Sequence, residues 1–235
     1  MKTSIIVPVK KFSSRLTSKN TREFCGHRLG MFEVKMKQLM RTSSFDEVVV
    51  TTDDDSVISY VKNMPDMRFR AVQEPNEFAN NPERTPEDFI KYAADICTGD
   101  HIFWVHVTSP LTCSQDYDLI KTSYQFALQW GHDSLLTAVE IKNFILNKKA
   151  EVLNKQIAGF NIRTKWPATQ HLESLYEPTH SVFAASRKLH HQGIRVGTNP
   201  YFYLVDRYST IDVDYEGQFK QAETLMQSMY RGLAL

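Results

Sequence analysis

The sequence lacks any apolar run long enough to span a bilayer, and it does not open on the charged, apolar and small-residue pattern of a secretory leader. Cysteine is scarce. Cys25, Cys97 and Cys113 are scattered, fall in no zinc-like spacing, and point to a reducing, cytoplasmic compartment. An excess of one charge is missing as well: 28 Lys and Arg stand against 27 Asp and Glu, a net of +1. That balance argues against a surface that coats nucleic acid, so any anionic ligand has to be held by local basic residues. The nine glycines nowhere form the G-x-x-x-x-G-K-[ST] of a P-loop. Repeats and low-complexity tracts are absent.

What remains is an ordinary core. The chain has 235 residues, 42% of them hydrophobic, which fits one α/β domain with a small lobe. Thr3 to Val9 is a continuous apolar run and reads as a buried opening strand. Leu29, Phe32, Met36 and Leu39 recur at helical spacing. A buried strand over Val48 to Thr52 then runs into three aspartates, of which Asp54 and Asp55 read as helix-capping. "RFRAVQ" is a further strand, and "RTPEDFIKYAADI" a helix with Thr85 ahead of Pro86. "DHIFWVHVTSP" reads as a strand leading into a loop, and "CSQDYDLIKTSYQFALQW" as a capped helix. This alternation predicts a mostly parallel sheet with helices on both faces. After "DSLLTAVEI" the rhythm breaks, and residues from about 142 to 178 read as an extended excursion. It resumes with "SVFAAS" and "YFYLV", where Tyr201, Phe202 and Tyr203 read as strand core, and closes with a helix over Gln218 to Tyr230. His190 and His191, at a helix end, read as structural.

In such sheets ligands bind beyond the carboxyl ends of the strands. Four loops converge there. The first holds Lys10, Lys11, Ser13, Ser14, Arg15, Lys19 and Asn20, four cations within eleven residues, which suits a triphosphate. The second is "TTDDD". The third, "HVTSPLT", offers His106, Thr108 and Ser109. The fourth, "STIDVD", places Asp212 and Asp214 two apart in what reads as a last strand, although Asp is disfavoured in strands. Taken alone, the pair is either a strand end with Asp214 capping the next helix or a set of ligands for a hard divalent ion. Taken with the basic loop, the two supply the parts of nucleotidyl transfer.

These motifs, in order, resemble the acylneuraminate cytidylyltransferases (CMP-sialic acid synthetases) and, more distantly, the CMP-Kdo synthetases. "IIVPVKKFSSRLTSKN" is similar to the family's strand and P-A-R-x-x-S-K-R-x-x-x-K-N loop, and "FDEVVVTTDDDSV" to its strand with S-T-D-D. "VHVTSPLT" resembles L-Q-P-T-S-P-L-R, and "STIDVDYEGQFKQAE" the terminal I-D-I-D-x-x-x-D-x-x-x-A-E. The resemblance implies a Rossmann-like nucleotidyltransferase domain over residues 1–235, built as a three-layer sandwich. It implies CTP as donor, Mg2+ on Asp212 and Asp214, and a homodimer formed through an excursion at about 142–191. On that basis Lys10, Arg15 and Lys19 are expected to neutralise phosphates. Ser13, Ser14, Asn20, Arg84, Thr108 and Ser109 are expected to line the nucleotide site.

The departures bear on the acceptor. Lys10 stands where the family has arginine, Ser14 where it has lysine, His106 where it has glutamine, and Thr112 where it has arginine. Thr169 and Glu177 stand where arginines are expected, and the P-N-G turn reads Pro178, Thr179, His180. The expected acceptor is an acidic sugar of the ulosonic or nonulosonic type, with ordinary N-acetylneuraminic acid a poor acceptor or none and Arg163, Lys165 or Lys142 replacing the missing arginines. The alternatives are a phosphonate or other non-sialic acceptor, or a catalytically silent nucleotide-binding relative. His106, Gln170 and Tyr176 complete the expected acceptor set.

Overall fold

The computed structural model describes residues 1–75, 83, 85–154, 168–207 and 210–233. The candidates Arg84, Arg163 and Lys165, with Phe160 and Trp166 of the expected dimer face, lie outside the described residues.

The apolar runs become strands β1 (Thr3–Val9), β2 (Glu47–Thr52), β3 (Phe69–Gln73) and β4 (His101–Val105). These four are mutually parallel. With β5 (Ser134–Ile141), β6 (Leu175–Ser186) and β7 (Pro200–Leu204) they make a seven-stranded sheet in the order β3-β2-β1-β4-β6-β5-β7. Only β6 opposes its neighbours, running antiparallel to β4 and β5, whereas β5 and β7 are parallel. Among the described residues the α-helices are α1 (Gly30–Met40), α2 (Asp55–Lys62), α3 (Pro86–Ile96), α4 (Ser114–Gln129), α5 (Arg187–His191) and α6 (Glu216–Leu233).

Helix starts follow local chemistry. Asp54 caps α2 by accepting from the Ser56 N–H at 2.9 Å. Thr85 and Asp88 form a reciprocal capping box on α3, with Pro86 at its first position. Period-two alternation along β1 then divides the core between the two faces of the sheet. Ile5, Val7 and Val9 pack with Phe32 and Met36 of α1 and with Tyr117 and Ile120 of α4. Ile6 packs on the other face with Trp104, Phe183 and the Ile90, Ala93 and Ala94 side of α3. The result is three layers: helix, sheet, helix. Each fully buried Ile, Phe or Met contributes about 1.5–3 kcal/mol relative to exposure.

A third core lies outside the sheet proper. Leu16 and Phe24 from the first loop meet Met31 and Val34 of α1, Leu111 from the loop after β4, Val213, and Phe219, Ala222 and Met226 of α6. The first loop and the last helix are thereby fastened to one apolar plug.

Three expectations change. The excursion of 142–191 is too long, because from Leu175 the chain is already a strand of the main sheet, and only residues 142–174 lie between strands β5 and β6. The polar interruption at Pro178 to Ser181 hides the strand's apolar period. Residues Ile211–Asp214 do not form a strand: their tie to the loop after β4 is the bond from the Val213 N–H to the Thr108 carbonyl at 2.8 Å. Two carboxylates so close suit a segment folded over the sheet end better than a ladder position. On the edge strand β7, Tyr201 and Tyr203 pack against the core, but Phe202 is 37% exposed and stacks on Tyr176 at 4.7 Å. No helix among the described residues is long and apolar enough to cross a membrane.

His190 is structural, as expected. It is fully buried, its Nε2 accepts from the Trp104 indole N–H at 2.8 Å, and its Nδ1 lies 2.9 Å from the Ser186 carbonyl. Burial pushes its imidazole down to about 4. A folded-state value below the ordinary 6.5 means its contribution is complete above pH 6.5 and is lost as pH falls through about 4. Unfolding by urea between pH 7 and 4 should show this loss, on the order of 3 kcal/mol. His190→Gln, which keeps an acceptor for Trp104, should flatten the profile; an equally steep variant would contradict the assignment.

Candidate active site

The loops beyond the C-terminal ends of β1 and β4 enclose a cleft of about 580 Å³. Lys10, Ser13, Ser14, Arg15, Lys19 and Asn20 line one side of it, and His106 and Thr108 the floor. Asp212, Asp214 and His180 complete the wall. Residues far apart in sequence converge here for a local reason. Leu16 and Phe24 sink into the third core and so fix the segment between them, which carries Lys19 and Asn20, with Arg15 directly ahead of it. Arg22 then clamps that loop on α6 with two bonds to Glu216, at 2.6 and 3.0 Å, and lies over the Phe219 ring. Asn20, 8% exposed, donates to the Lys10 carbonyl at 2.9 Å and ties the loop's ends together.

Val213 is buried in the same core, so Asp212 and Asp214 on either side of it turn toward the cleft. Lys19 Nζ binds Asp214 Oδ1 and Arg15 Nη1 binds Asp214 Oδ2, each at 2.8 Å. Burial alone raises the Asp214 carboxyl, but the Lys19 hydrogen bond and the charges of Lys19 and Arg15 outweigh it and hold the group below the usual carboxylate range. Asp214 does not cap α6. Gln218, in the first turn of α6, reaches back instead, and its Oε1 accepts from the N–H groups of Asp214 and Tyr215 at 2.9 Å each.

Among the described residues, two buried polar atoms at the cleft have no hydrogen-bond partner: Asp212 Oδ1 and His106 Nε2. Burial, with Arg195, His180 and Lys19 nearby, pushes the His106 imidazole down to about 3, so the ring is neutral. Ser109 is not at the cleft. It is 1% exposed beneath the loop, where its carbonyl accepts from the buried Lys35 ammonium at 2.9 Å. Lys142 instead pairs with Glu140 at 3.5 Å, Tyr176 stacks on Phe202, and Gln170 is exposed in a one-turn helix. None of these three lines the cleft.

A second cavity of about 460 Å³ adjoins the first and shares His180 and Asp212 with it. His180 has φ of 59°, the left-handed region that glycine favours and that His tolerates better than most residues. An irregularity in the pairing of β5 and β6 produces this turn. Thr137 Oγ1 accepts from the Val182 N–H at 3.1 Å and from the Thr179 hydroxyl at 2.8 Å, which pins the strand on both sides of His180. Neither His180 nor Arg207, which also lines the second cavity, is among the residues expected from the sequence. For His180 the signal is a histidine in the place of the family's turn glycine.

No protein-family model and no curated protein matches the sequence. Solved structures do. CMP:2-keto-3-deoxy-manno-octonic acid synthetase complexed with CTP superposes with a TM-score of 0.68 over 97% of this chain and 100% of its own, at 14% identity. A 4-diphosphocytidyl-2C-methyl-D-erythritol synthase from Anaerococcus prevotii DSM 20548 gives 0.64 over 96% and 98%, at 13% identity. HddC from Yersinia pseudotuberculosis gives 0.56 over 95% and 99%, at 12% identity. The seven-stranded, mostly parallel sheet with helices is the Rossmann-like α/β fold of these structures. At these identities the likeness is one of backbone, and the chemistry has to come from the residues themselves.

Among the described residues no group of three or more His, Cys, Asp or Glu forms a metal cage. Magnesium, which the resemblance implies, would need only one or two carboxylates here, with phosphate oxygens and water supplying the rest. Asp212 fits: a buried carboxylate oxygen without a donor is costly, and a hard cation satisfies it. Asp214 fits once its two cations turn to another anion.

Thr137→Val keeps the shape of the side chain but removes its hydroxyl. The Val182 N–H then loses its side-chain acceptor, and the variant should be destabilised by about 1–3 kcal/mol in urea unfolding. A neutral substitution would mean that the turn under His180 is held by other contacts.

Proposed function

We propose that the protein is a magnesium-dependent cytidylyltransferase that moves CMP from CTP to an acidic sugar of the ulosonic or nonulosonic type and releases pyrophosphate. The observation that carries this reading is the convergence of Lys19 and Arg15 on Asp214, a carboxylate some two hundred positions away, at the mouth of a cleft beyond β1 and β4. A basic loop already organised around an internal anion is suited to exchange it for phosphate. The names of two structural neighbours, one complexed with CTP and one forming a diphosphocytidyl product, support cytidine as the base.

In this reading Lys10, Arg15 and Lys19 take the phosphates, and the charge that leaves with pyrophosphate is met by groups already in position. Ser13, Ser14 and Thr108 add hydroxyl donors along the same cleft. The acceptor occupies the adjoining cavity. Its hydroxyl oxygen forms a bond to the α-phosphorus, the bond from that phosphorus to the bridging oxygen breaks, and pyrophosphate departs. His180 lines both cavities and takes the acceptor's proton. Asp212 and Asp214 would hold magnesium, which when bound withdraws charge from the phosphates. A cytidylyltransferase with a phosphonate or phosphate acceptor shares every one of these parts. The diphosphocytidyl product named for the Anaerococcus neighbour, with cytidine on a diphosphate, favours that version.

Asp212→Asn removes one negative ligand while keeping the size of the side chain. In a pyrophosphate-release assay with CTP, magnesium and a panel of acidic sugars, sugar phosphates and phosphonates, it should cost about two to four orders of magnitude in rate. Near-normal turnover by the variant would refute the metal assignment, and no pyrophosphate from the wild type with any acceptor would refute the activity.

A further inference from the structure

The second cavity carries charge that the phosphate cleft does not explain. Arg207 is the one Lys or Arg among its described lining residues. Its Nη2 donates to Glu177 Oε2 at 2.8 Å, and the two side chains remain 55% and 53% exposed. Glu177 is fixed by strand pairing, opposite Val139 of β5. On the other partner, the Thr210 hydroxyl donates to the Asp206 and Arg207 carbonyls, at 3.1 and 3.4 Å, and restrains the backbone that carries Arg207. An ion pair this exposed is weakly held. The guanidinium can therefore pass from Glu177 to another carboxylate or phosphate, groups its planar fork matches with two parallel bonds.

We propose that Arg207 recognises an anionic group of the acceptor, a carboxylate or a phosphate, and that Glu177 is a built-in competitor that holds the guanidinium in place and sets how tightly that anion binds. This rests on the cytidylyltransferase reading, because it needs the second cavity to be the acceptor's. It replaces the missing family arginines with a residue from a different part of the chain. Glu177, which stands where the family has a cation, becomes the partner that keeps the new cation aimed.

The test is a set of calorimetric titrations on protein preloaded with a non-hydrolysable CTP analogue. The probes are 2-keto-3-deoxy-manno-octonic acid against its uncharged methyl ester, and glucose 1-phosphate against glucose. At least one anion should bind better than its neutral partner, and which one does separates carboxylate from phosphate recognition. Arg207→Gln should weaken that anion by roughly tenfold to a hundredfold. Glu177→Gln should tighten it several-fold, with the neutral probes unmoved by either change. The proposal is overturned if neither anion outbinds its neutral partner, if Arg207→Gln binds the anion within twofold of wild type, or if Glu177→Gln weakens it. Analogue binding is read in the same samples. Wild-type protein that does not take the analogue removes the cytidylyltransferase reading and this proposal with it, whereas normal analogue binding beside any of the failures above removes only the role of Arg207.

Discussion

The candidate site depends on one carboxylate. Asp214 lies at the far end of the chain from the basic loop, yet it holds Lys19 and Arg15 at 2.8 Å each. Without an anion between them, two cations in a partly buried cleft would repel each other, and a bound phosphate could take the carboxylate's place. Asp214 reaches them because Val213 beside it is buried in the third core with Leu16, Phe24 and Phe219. An apolar plug thus sets the distance, and an ion pair sets the direction. The Arg22 to Glu216 clamp closes the same junction from outside.

The parts of this structure that were legible in the sequence are those governed by local periodicity. The run from Thr3 to Val9 could only be a buried strand, and Thr85 with Pro86 and Asp88 spelled a helix start. The basic loop and the aspartate pair were legible as clusters of charge, and the cleft does bring them together. What was hidden depends on tertiary contact. Ser109 reads like any hydroxyl in a loop, and only the buried Lys35 drawn to its carbonyl shows that it faces inward. Strand β6 carries its polar interruption because Thr137, on another strand, accepts from the Thr179 hydroxyl inside it and from the Val182 N–H just beyond it. Arg207 looks like an ordinary surface cation until Glu177 and the second cavity are seen beside it.

Two adjoining cavities with different electrostatics share a single wall. The first is lined by cations around an anion and suits a polyphosphate. The second has an exposed pair, Arg207 and Glu177, and suits a smaller anionic partner. Asp212 and His180 belong to both, which is where a bond between the two ligands would have to form. His180 holds this place at the cost of a left-handed backbone, about 1–2 kcal/mol for a residue with a Cβ. Such strain is retained where the surrounding hydrogen bonds over-determine it.

The most direct test of this account is a calorimetric titration of CTP without metal into the wild type, Lys19→Ala and Asp214→Asn. If Asp214 is the counter-ion that phosphate displaces, Lys19→Ala should weaken metal-free binding, while Asp214→Asn, with its two cations released, should strengthen it by about fivefold. Asp214→Asn binding CTP as poorly as Lys19→Ala would contradict the account, and would mean that the ion pair maintains the loop and does not await a ligand.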